Sequence, residues 1–164
     1  MELRKLKTAD APLMLDWMHD ASVVAYLGAN FAAKTLADCE GFIASSRTDE
    51  HNLHLAVVND DDEYMGTVSL KHLDRARGTA EFAITVRAEA MGKGYSRYGM
   101  SRILEMGIRE LGLKEVYWCV SPENTRAVRF YDKGGYTRIQ KVPEHILAPY
   151  PGDWDLIWYL FTGE

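Results

Sequence analysis

A glycine-containing loop is the first segment whose residue types suggest ligand chemistry. It has the sequence MGKGYS at residues 91–96 and joins a predicted strand to a predicted long helix. Glycines let the backbone approach a ligand closely, and the first N–H groups of a helix lack intrahelical partners at the positive end of the dipole. The loop therefore suits an anion such as pyrophosphate. Its spacing fits neither the Walker loop nor GxGxxG, and such glycines also occur in plain tight turns.

A second segment makes the first more specific. The sequence SPENTRAVRFYDKGGY, at residues 121–136, follows the next predicted strand. Together, MGKGYS, a strand and NxxAxxxYxxxGY resemble the acetyl-CoA-binding half of GNAT acetyltransferases. The resemblance covers about residues 64–140. The opening LRKLKTADAPLMLDWMHD, at residues 3–20, is also similar to the subgroup that contains ribosomal-protein alanine and spermidine acetyltransferases.

The resemblance implies acetyl-CoA as cosubstrate, with no metal. Asn124 matches the asparagine that bonds the pantetheine arm, Ala127 the small residue beside it, and Tyr131 the tyrosine near the thioester sulfur. Met91 and Ser96 depart from the family pattern Q/R-x-x-G-x-G/A, but main-chain N–H groups make most contacts in this loop. The expected cofactor-binding residues are Ile84, Val86, Met91, Gly92, Lys93, Gly94, Tyr95, Ser96, Arg97, Asn124, Ala127 and Tyr131.

Acetyl transfer needs a neutral amine, an oxyanion donor and a proton for the departing thiolate. A splayed pair of strands would leave an N–H near Ile84 to Val86 for the carbonyl oxygen. Tyr131 is the candidate acid; its alternative is a core tyrosine. Glu81 is the candidate base, acting directly or through water. A solvated or salt-bridged strand carboxylate, with solvent as the base, is an equal alternative. His72 and Glu89 are weaker candidates.

The hydrophobic periodicity predicts an α/β (α+β) chain with one mixed, twisted sheet of about seven strands and about four helices. A helix capped by Thr8 should bury Leu13, Met14, Trp17 and Met18, and a helix from Thr35 should bury Phe42 and Ile43. The connection VVAYLGANFAA between them is expected to be irregular. The remaining predicted elements are strands near 3–6, 53–58, 65–70, 79–86, 116–120, 136–142 and 154–161 and helices at 94–111 and 124–133.

We expect one N-acetyltransferase domain over residues 1–164, with acceptor-site elements at about 20–36 and 142–153. The segment PEHILAPYPGDW offers aromatic rings and carboxylates that suit a protonated amine, although a structural loop cover is at least as good an explanation. Its contact candidates are Glu144, His145, Tyr150 and Asp153. Trp154 and Trp158 are expected in the core or at a subunit contact.

Composition excludes several classes of protein. The net charge of −5 gives no basic footprint for nucleic acid, and two cysteines are too few for a disulfide framework. The charged N-terminus does not resemble a signal peptide and no apolar stretch suits a membrane, so a cytoplasmic protein is expected. The acceptor is expected to be a small amine or a protein N-terminus, and the resemblance is compatible with a homodimer. The alternative is a catalytically silent acyl-CoA-binding module.

Overall fold

The computed structural model describes residues 1–163. Their seven strands form one sheet in the order β1-β2-β3-β4-β5-β7-β6, and every neighbouring pair is antiparallel except β4 and β5. The strands are β1 Glu2–Lys5, β2 Leu53–Val58, β3 Tyr64–Asp74, β4 Thr79–Val86, β5 Glu115–Val120, β6 Thr137–Ile139 and β7 Ile157–Thr162. The mixed seven-stranded sheet confirms the predicted fold class.

Within residues 1–163, six α-helices connect the strands. They are α1 Ala11–Met18, α2 Ala21–Val24, α3 Leu36–Ser46, α4 Tyr95–Arg109, α5 Thr125–Lys133 and α6 Glu144–Leu147, with 3-10 turns at Thr8–Asp10, Phe31–Ala33 and Ala88–Ala90. Thr35 caps α3 as predicted, because its hydroxyl accepts the Asp38 N–H while the Asp38 carboxylate accepts the Thr35 N–H. None of the helices within residues 1–163 has both the length and the apolarity to cross a bilayer.

Alternation along the strands gives the sheet two packed faces. One face packs against α4 and α5. The strand residues buried there include Val57, Val68, Leu70, Val116 and Trp118, and they pack with Ile103 and Leu104 of α4. The other face packs against α1 and α3, where the strand residues Ala56, Val58 and Tyr64 are buried with Met14 and Trp17 of α1 and Ile43 of α3. The faces therefore present different side chains of the same strands to different helices.

Several predicted boundaries were wrong. Thr8 lies inside the 3-10 turn, and α1 begins only at Ala11 because the Asp10 carboxylate accepts the Lys7 N–H at 2.8 Å and closes the preceding turn. The irregular connection contains the short helical segments α2 and Phe31–Ala33. The last strand begins at Ile157, so Trp154 lies outside it and is 48% exposed, whereas Trp158 is buried.

One glycine sets the distance between α4 and the sheet. A Cβ atom at Gly99 would lie 2.7 Å from Cγ2 of Val57 and 2.9 Å from Cγ1 of Val68. Real carbon atoms do not approach so closely, so α4 can pack this near to the sheet only without a side chain at this position. Because α4 begins directly after the loop at residues 91–94, this contact also helps to position that loop.

We predict that Gly99→Ala lowers the free energy of unfolding by about 1–3 kcal/mol through overpacking. The matched control is Gly41→Ala in α3, where a Cβ would meet nothing within 4 Å. That change should raise the free energy of unfolding by about 0.5–1 kcal/mol, since alanine is the better helix former. Urea unfolding measures both, and equal effects at the two positions would contradict the packing explanation.

Candidate functional site

The parallel strands β4 and β5 separate soon after they begin to pair. Their only paired residues are Thr79 with Glu115, Ala80 with Val116, and Glu81 with Tyr117, within residues 1–163. Beyond Glu81, β4 stays paired with β3 as far as Val86, and β5 stays paired with β7 as far as Val120. Each strand is thus held on its outer side while a gap opens between them. The predicted splayed pair is confirmed.

Backbone donors face this gap. The N–H of Arg87 donates to the carbonyl of Met65 on β3 at 2.9 Å. Because N–H groups alternate in direction along a strand, those of Ile84 and Val86 point away from β3 and toward the gap. These are the N–H groups that the sequence analysis expected to hold a carbonyl oxygen.

The loop after β4 ends in a left-handed glycine. Gly92 has φ of 76° and Gly94 has φ of 91°, values that suit glycine, and Gly94 precedes the first residue of α4. The first helical hydrogen bond runs from the Tyr98 N–H to the Gly94 carbonyl at 3.0 Å. The N–H groups of Tyr95, Ser96 and Arg97 make no hydrogen bond to any residue in 1–163. They remain available to an anion.

Other loop residues have local partners. The N–H of Met91 donates to the Ala88 carbonyl at 3.2 Å, and that of Lys93 donates to the Ala90 carbonyl at 3.4 Å. The donors left for a ligand are therefore concentrated at Gly92 and at the start of α4. The guanidinium of Arg126, at the start of α5, lies 3.1 Å from the Met91 sulfur. Arg126 is not among the cofactor-binding residues expected from the sequence, although it lies within the segment 121–136 that carries the resemblance.

Asn124 and Ala127 meet at the start of α5. The side-chain oxygen of Asn124 accepts the Ala127 N–H at 3.3 Å, so Asn124 is the N-cap of α5. The amide NH₂ of Asn124 has no hydrogen-bond partner within the described chain, and it can donate to a ligand. One side chain can thus start the helix and still contact the pantetheine arm.

Tyr131 lies in an aromatic cluster under the gap. Its ring centroid is 5.6 Å from that of Trp118 on β5 and 5.1 Å from that of Tyr159 on β7. Burial raises the pKa of Tyr131, so the phenol stays protonated at neutral pH. Its hydroxyl makes no hydrogen bond within residues 1–163. Trp118, which the sequence analysis missed, has a buried Nε1–H with no partner in the same residues.

Glu81 points to the opposite face from Ala80 and Phe82. It is only 2% exposed, and its Oε2 lies 2.7 Å from Nδ1 of His72. Its Oε1 is buried and has no hydrogen-bond partner among the described residues. The sequence left open that Glu81 is a non-catalytic carboxylate, either solvated or salt-bridged. A solvated Glu81 is wrong because the side chain is buried, whereas the contact with His72 agrees with a paired carboxylate. His72, a weaker candidate for the base, is exposed and contacts Glu81.

A cleft of about 610 Å³ opens beside Glu81. It is lined by His51, His72, Leu73, Asp74, Arg75, Ala76, Glu81, His145, Ile146 and Pro149. The predicted acceptor segment 142–153 contributes three of these residues, whereas residues 20–36 contribute none within the described chain. The α3–β2 loop contributes His51, the end of β3 contributes Leu73 and Asp74, and the β3–β4 turn contributes Arg75 and Ala76. No local sequence signal marked them, because the sheet alone brings them to Glu81.

Residues of the segment 142–153 cover this cleft. His145 Nε2 lies 3.2 Å from Thr79 Oγ1, and the Tyr150 ring packs edge-on against Trp158 at 5.1 Å. Burial raises the pKa of Tyr150, and the neighbouring Cys119 and Glu81 raise it further. Burial also raises the pKa of the Cys119 thiol to about 11, so this cysteine is no thiolate nucleophile at neutral pH.

The other acidic candidates lie outside this cleft. Glu89 is 69% exposed and its carboxylate is 3.7 Å from the Arg87 guanidinium, while Glu144 and Asp153 are exposed. Neither Glu89, Glu144 nor Asp153 lines the cleft beside Glu81. Across residues 1–163, no three His, Cys, Asp or Glu side chains are grouped so that they could hold a metal ion.

Comparison with solved structures shows the same fold. Spermidine N-acetyltransferase from Vibrio cholerae in complex with CoA and spermine superimposes with a TM-score of 0.81 at 20% identity. The match covers 98% of this chain and 94% of that one. A probable acetyltransferase superimposes with a TM-score of 0.79, also at 20% identity, over 98% of this chain and 92% of that one.

Sequence relatives are acetyltransferases. The uncharacterised N-acetyltransferase p20 of Bacillus licheniformis is 26% identical over 134 residues, 79% of this chain and 74% of the relative. The spermidine N(1)-acetyltransferase of Vibrio cholerae is 33% identical over 72 residues, 44% of this chain and 42% of that enzyme. The second match therefore spans less than half of the spermidine enzyme.

A family profile covers most of the chain. The profile described as Acetyltransferase (GNAT) domain matches residues 1–137, which include the gap between β4 and β5, the loop after β4 and the whole of α5. The chain therefore belongs to the GNAT family of N-acetyltransferases.

Proposed function

We propose that this protein transfers an acetyl group from acetyl-CoA to a primary amine while both are bound, with no covalent enzyme intermediate. The observation that carries the proposal is the gap between β4 and β5. It places the free N–H groups of Ile84 and Val86 between the loop at residues 91–97 on one side and Glu81 on the other. A thioester lying in the gap would face an oxyanion donor and a base together.

The residues present fit acetyl-CoA. The unpaired N–H groups of residues 95–97, at the start of a 15-residue helix, suit its pyrophosphate. Lys93 and Arg126 are exposed cations beside the same loop. The amide of Asn124 offers a polar contact farther along, at the start of α5. The fit extends from the loop to the aromatic cluster around Tyr131.

Each chemical requirement has a residue. Acetyl-CoA supplies the thioester whose carbonyl an amine attacks. The N–H groups of Ile84 and Val86 stabilise the negative charge that develops on the carbonyl oxygen. Glu81 accepts the proton that the ammonium form of the acceptor must lose before attack. As the C–S bond breaks, Tyr131 donates its phenolic proton to the departing sulfur, and the surplus proton on the attacking nitrogen restores the phenol through water. Burial keeps that phenol protonated until it is used.

We infer that the acceptor enters from the cleft beside Glu81. The carboxylates of Glu81 and Asp74 line this cleft and suit a cation. The relatives named as spermidine acetyltransferases make a polyamine the first acceptor to test. Amino sugars and peptide N-termini are the other acceptors for the same assay. Residues 64–140 would then form the acetyl-CoA half, and residues 142–153 would cover the acceptor.

A catalytically silent acyl-CoA-binding module is the second candidate function. It would keep the loop and α5 but would need no base. The buried Glu81, whose Oε1 has no partner among residues 1–163, favours the enzyme, since an idle buried carboxylate is costly. An assay of CoA release with spermidine, an amino sugar and a peptide distinguishes the two. Tight acetyl-CoA binding without transfer to any amine would support the silent module.

We predict that Tyr131→Phe lowers kcat by about 100-fold, because the leaving sulfur loses its proton donor. The dissociation constant of acetyl-CoA should change less than about 3-fold, since the ring still fills the cluster. Tyr136→Phe is the matched control, because Tyr136 packs on the same Trp118 at 5.3 Å. Steady-state kinetics and calorimetry measure both effects. Equal loss of kcat in the two variants would remove Tyr131 from the mechanism.

We predict that Gly94→Ala weakens acetyl-CoA binding by about 10-fold or more, because a methyl group on a left-handed residue shifts the N–H groups that face the phosphates. Gly112→Ala is the matched control. Its φ of 69° is strained by alanine in the same way, but it follows the other end of α4. Both changes should lower stability by about 1–2 kcal/mol. If both variants bind acetyl-CoA like the native protein, the loop is not the phosphate site.

A further inference from the structure

His72 has a backbone conformation that a side chain makes unfavourable. Its φ is 52°, and the pairing register of β3 with β4 shifts between Lys71 and Asp74 on either side of it. Its N–H donates to the side-chain oxygen of Asn52 at 3.0 Å, which holds the irregularity in place. Irregularities of this kind redirect a side chain. Here the imidazole is turned onto the edge of the cleft.

The redirected imidazole meets a buried carboxylate. Nδ1 of His72 lies 2.7 Å from Oε2 of Glu81, and the two side chains are 55% and 2% exposed. Burying a carboxylate so deeply is costly unless a hydrogen-bond donor contacts it, and the imidazole of His72 offers that donor. The contact uses only Oε2, so Oε1 keeps its lone pairs for a proton.

We propose that His72 is the positioning residue of Glu81: it fixes the carboxylate through Oε2, so that Oε1 can take the acceptor's proton. This inference rests on the proposed function, in which Glu81 is the base. In the step, an N–H bond of the ammonium breaks and an O–H bond forms at Oε1. The products are a neutral amine and a carboxylic acid, which returns its proton to water.

Other charged groups around the pair are common to all variants described below. Lys71 lies opposite Glu81 in the register of β3 and β4. Cys119 on β5 and Tyr150 in the covering segment face Glu81 from the other elements. The remaining titratable or charged residues that line the cleft are His51, Asp74, Arg75 and His145. Because these groups stay in place, a change in turnover on replacing His72 reports the loss of the imidazole.

A glycine at position 72 distinguishes the effect of the His72 imidazole from the effect of its unusual backbone conformation. His72→Gly removes the imidazole and relieves the positive φ but leaves Glu81 without its partner, so a thermal unfolding curve must show that the variant is folded at the assay temperature. Turnover of the best amine should nevertheless fall by about 10-fold to 100-fold, because Glu81 loses its partner. Native turnover in His72→Gly, at every pH from about 5.5 to 9, would overturn the inference.

Glutamine tests whether a hydrogen-bond donor at position 72 is enough. His72→Gln keeps an N–H donor but has no imidazole. It should recover most of the kcat that His72→Gly loses, because the amide can still hold Oε2 of Glu81. A kcat no higher than that of His72→Gly would overturn the positioning role.

Glu81→Gln distinguishes failure of this inference from failure of the proposed function. If Glu81→Gln loses turnover while His72→Gly keeps it, the base stands and the role of His72 is wrong. If Glu81→Gln keeps native turnover, Glu81 is not the base and both statements about this pair fall. Acetyl-CoA binding, measured by calorimetry, should stay native in every variant, because neither residue lies at the loop of residues 91–97.

Discussion

Backbone N–H and C=O groups in a sheet must find partners, and β4 and β5 satisfy this requirement together over only three residue pairs. Past Glu81 each strand is bonded on its outer side alone. The inner N–H groups of Ile84 and Val86 consequently face a gap between two rigid strands. A ligand carbonyl can enter there without displacing a strand, and the donors it would meet are already oriented. The rest of the site is arranged around that gap.

The pleat of β4 assigns different tasks to the two faces of the sheet. Ala80 and Phe82 pack under α4, on the face where the aromatic cluster holds Tyr131. Glu81 points the other way, to the cleft beneath the segment 142–153. Because successive side chains of a strand alternate, a base and an acid can approach the same gap from opposite sides. This separation suits two substrates that must meet without sharing a pocket.

Both proposed catalytic groups are buried, and each has a different surrounding. Burial raises the pKa of Tyr131, and a protonated phenol is the form that an acid requires. Glu81 is only 2% exposed, and the imidazole of His72 lies 2.7 Å from its Oε2. A residue with a positive φ near the end of β3 is thereby connected to the carboxylate on the neighbouring strand β4.

The sequence by itself determined the features that local backbone dictates. The glycine loop at residues 91–94, the cap at Asn124 and the order of strands and helices all follow from short segments whose conformation depends on their own residues. The pairing of His72 with Glu81 was decided by tertiary structure, because it depends on a register shift between two strands. The lining of the cleft by His51 and His145 was decided in the same way. Those residues are far apart in the chain, and only the closed sheet and its covering segment place them around one carboxylate.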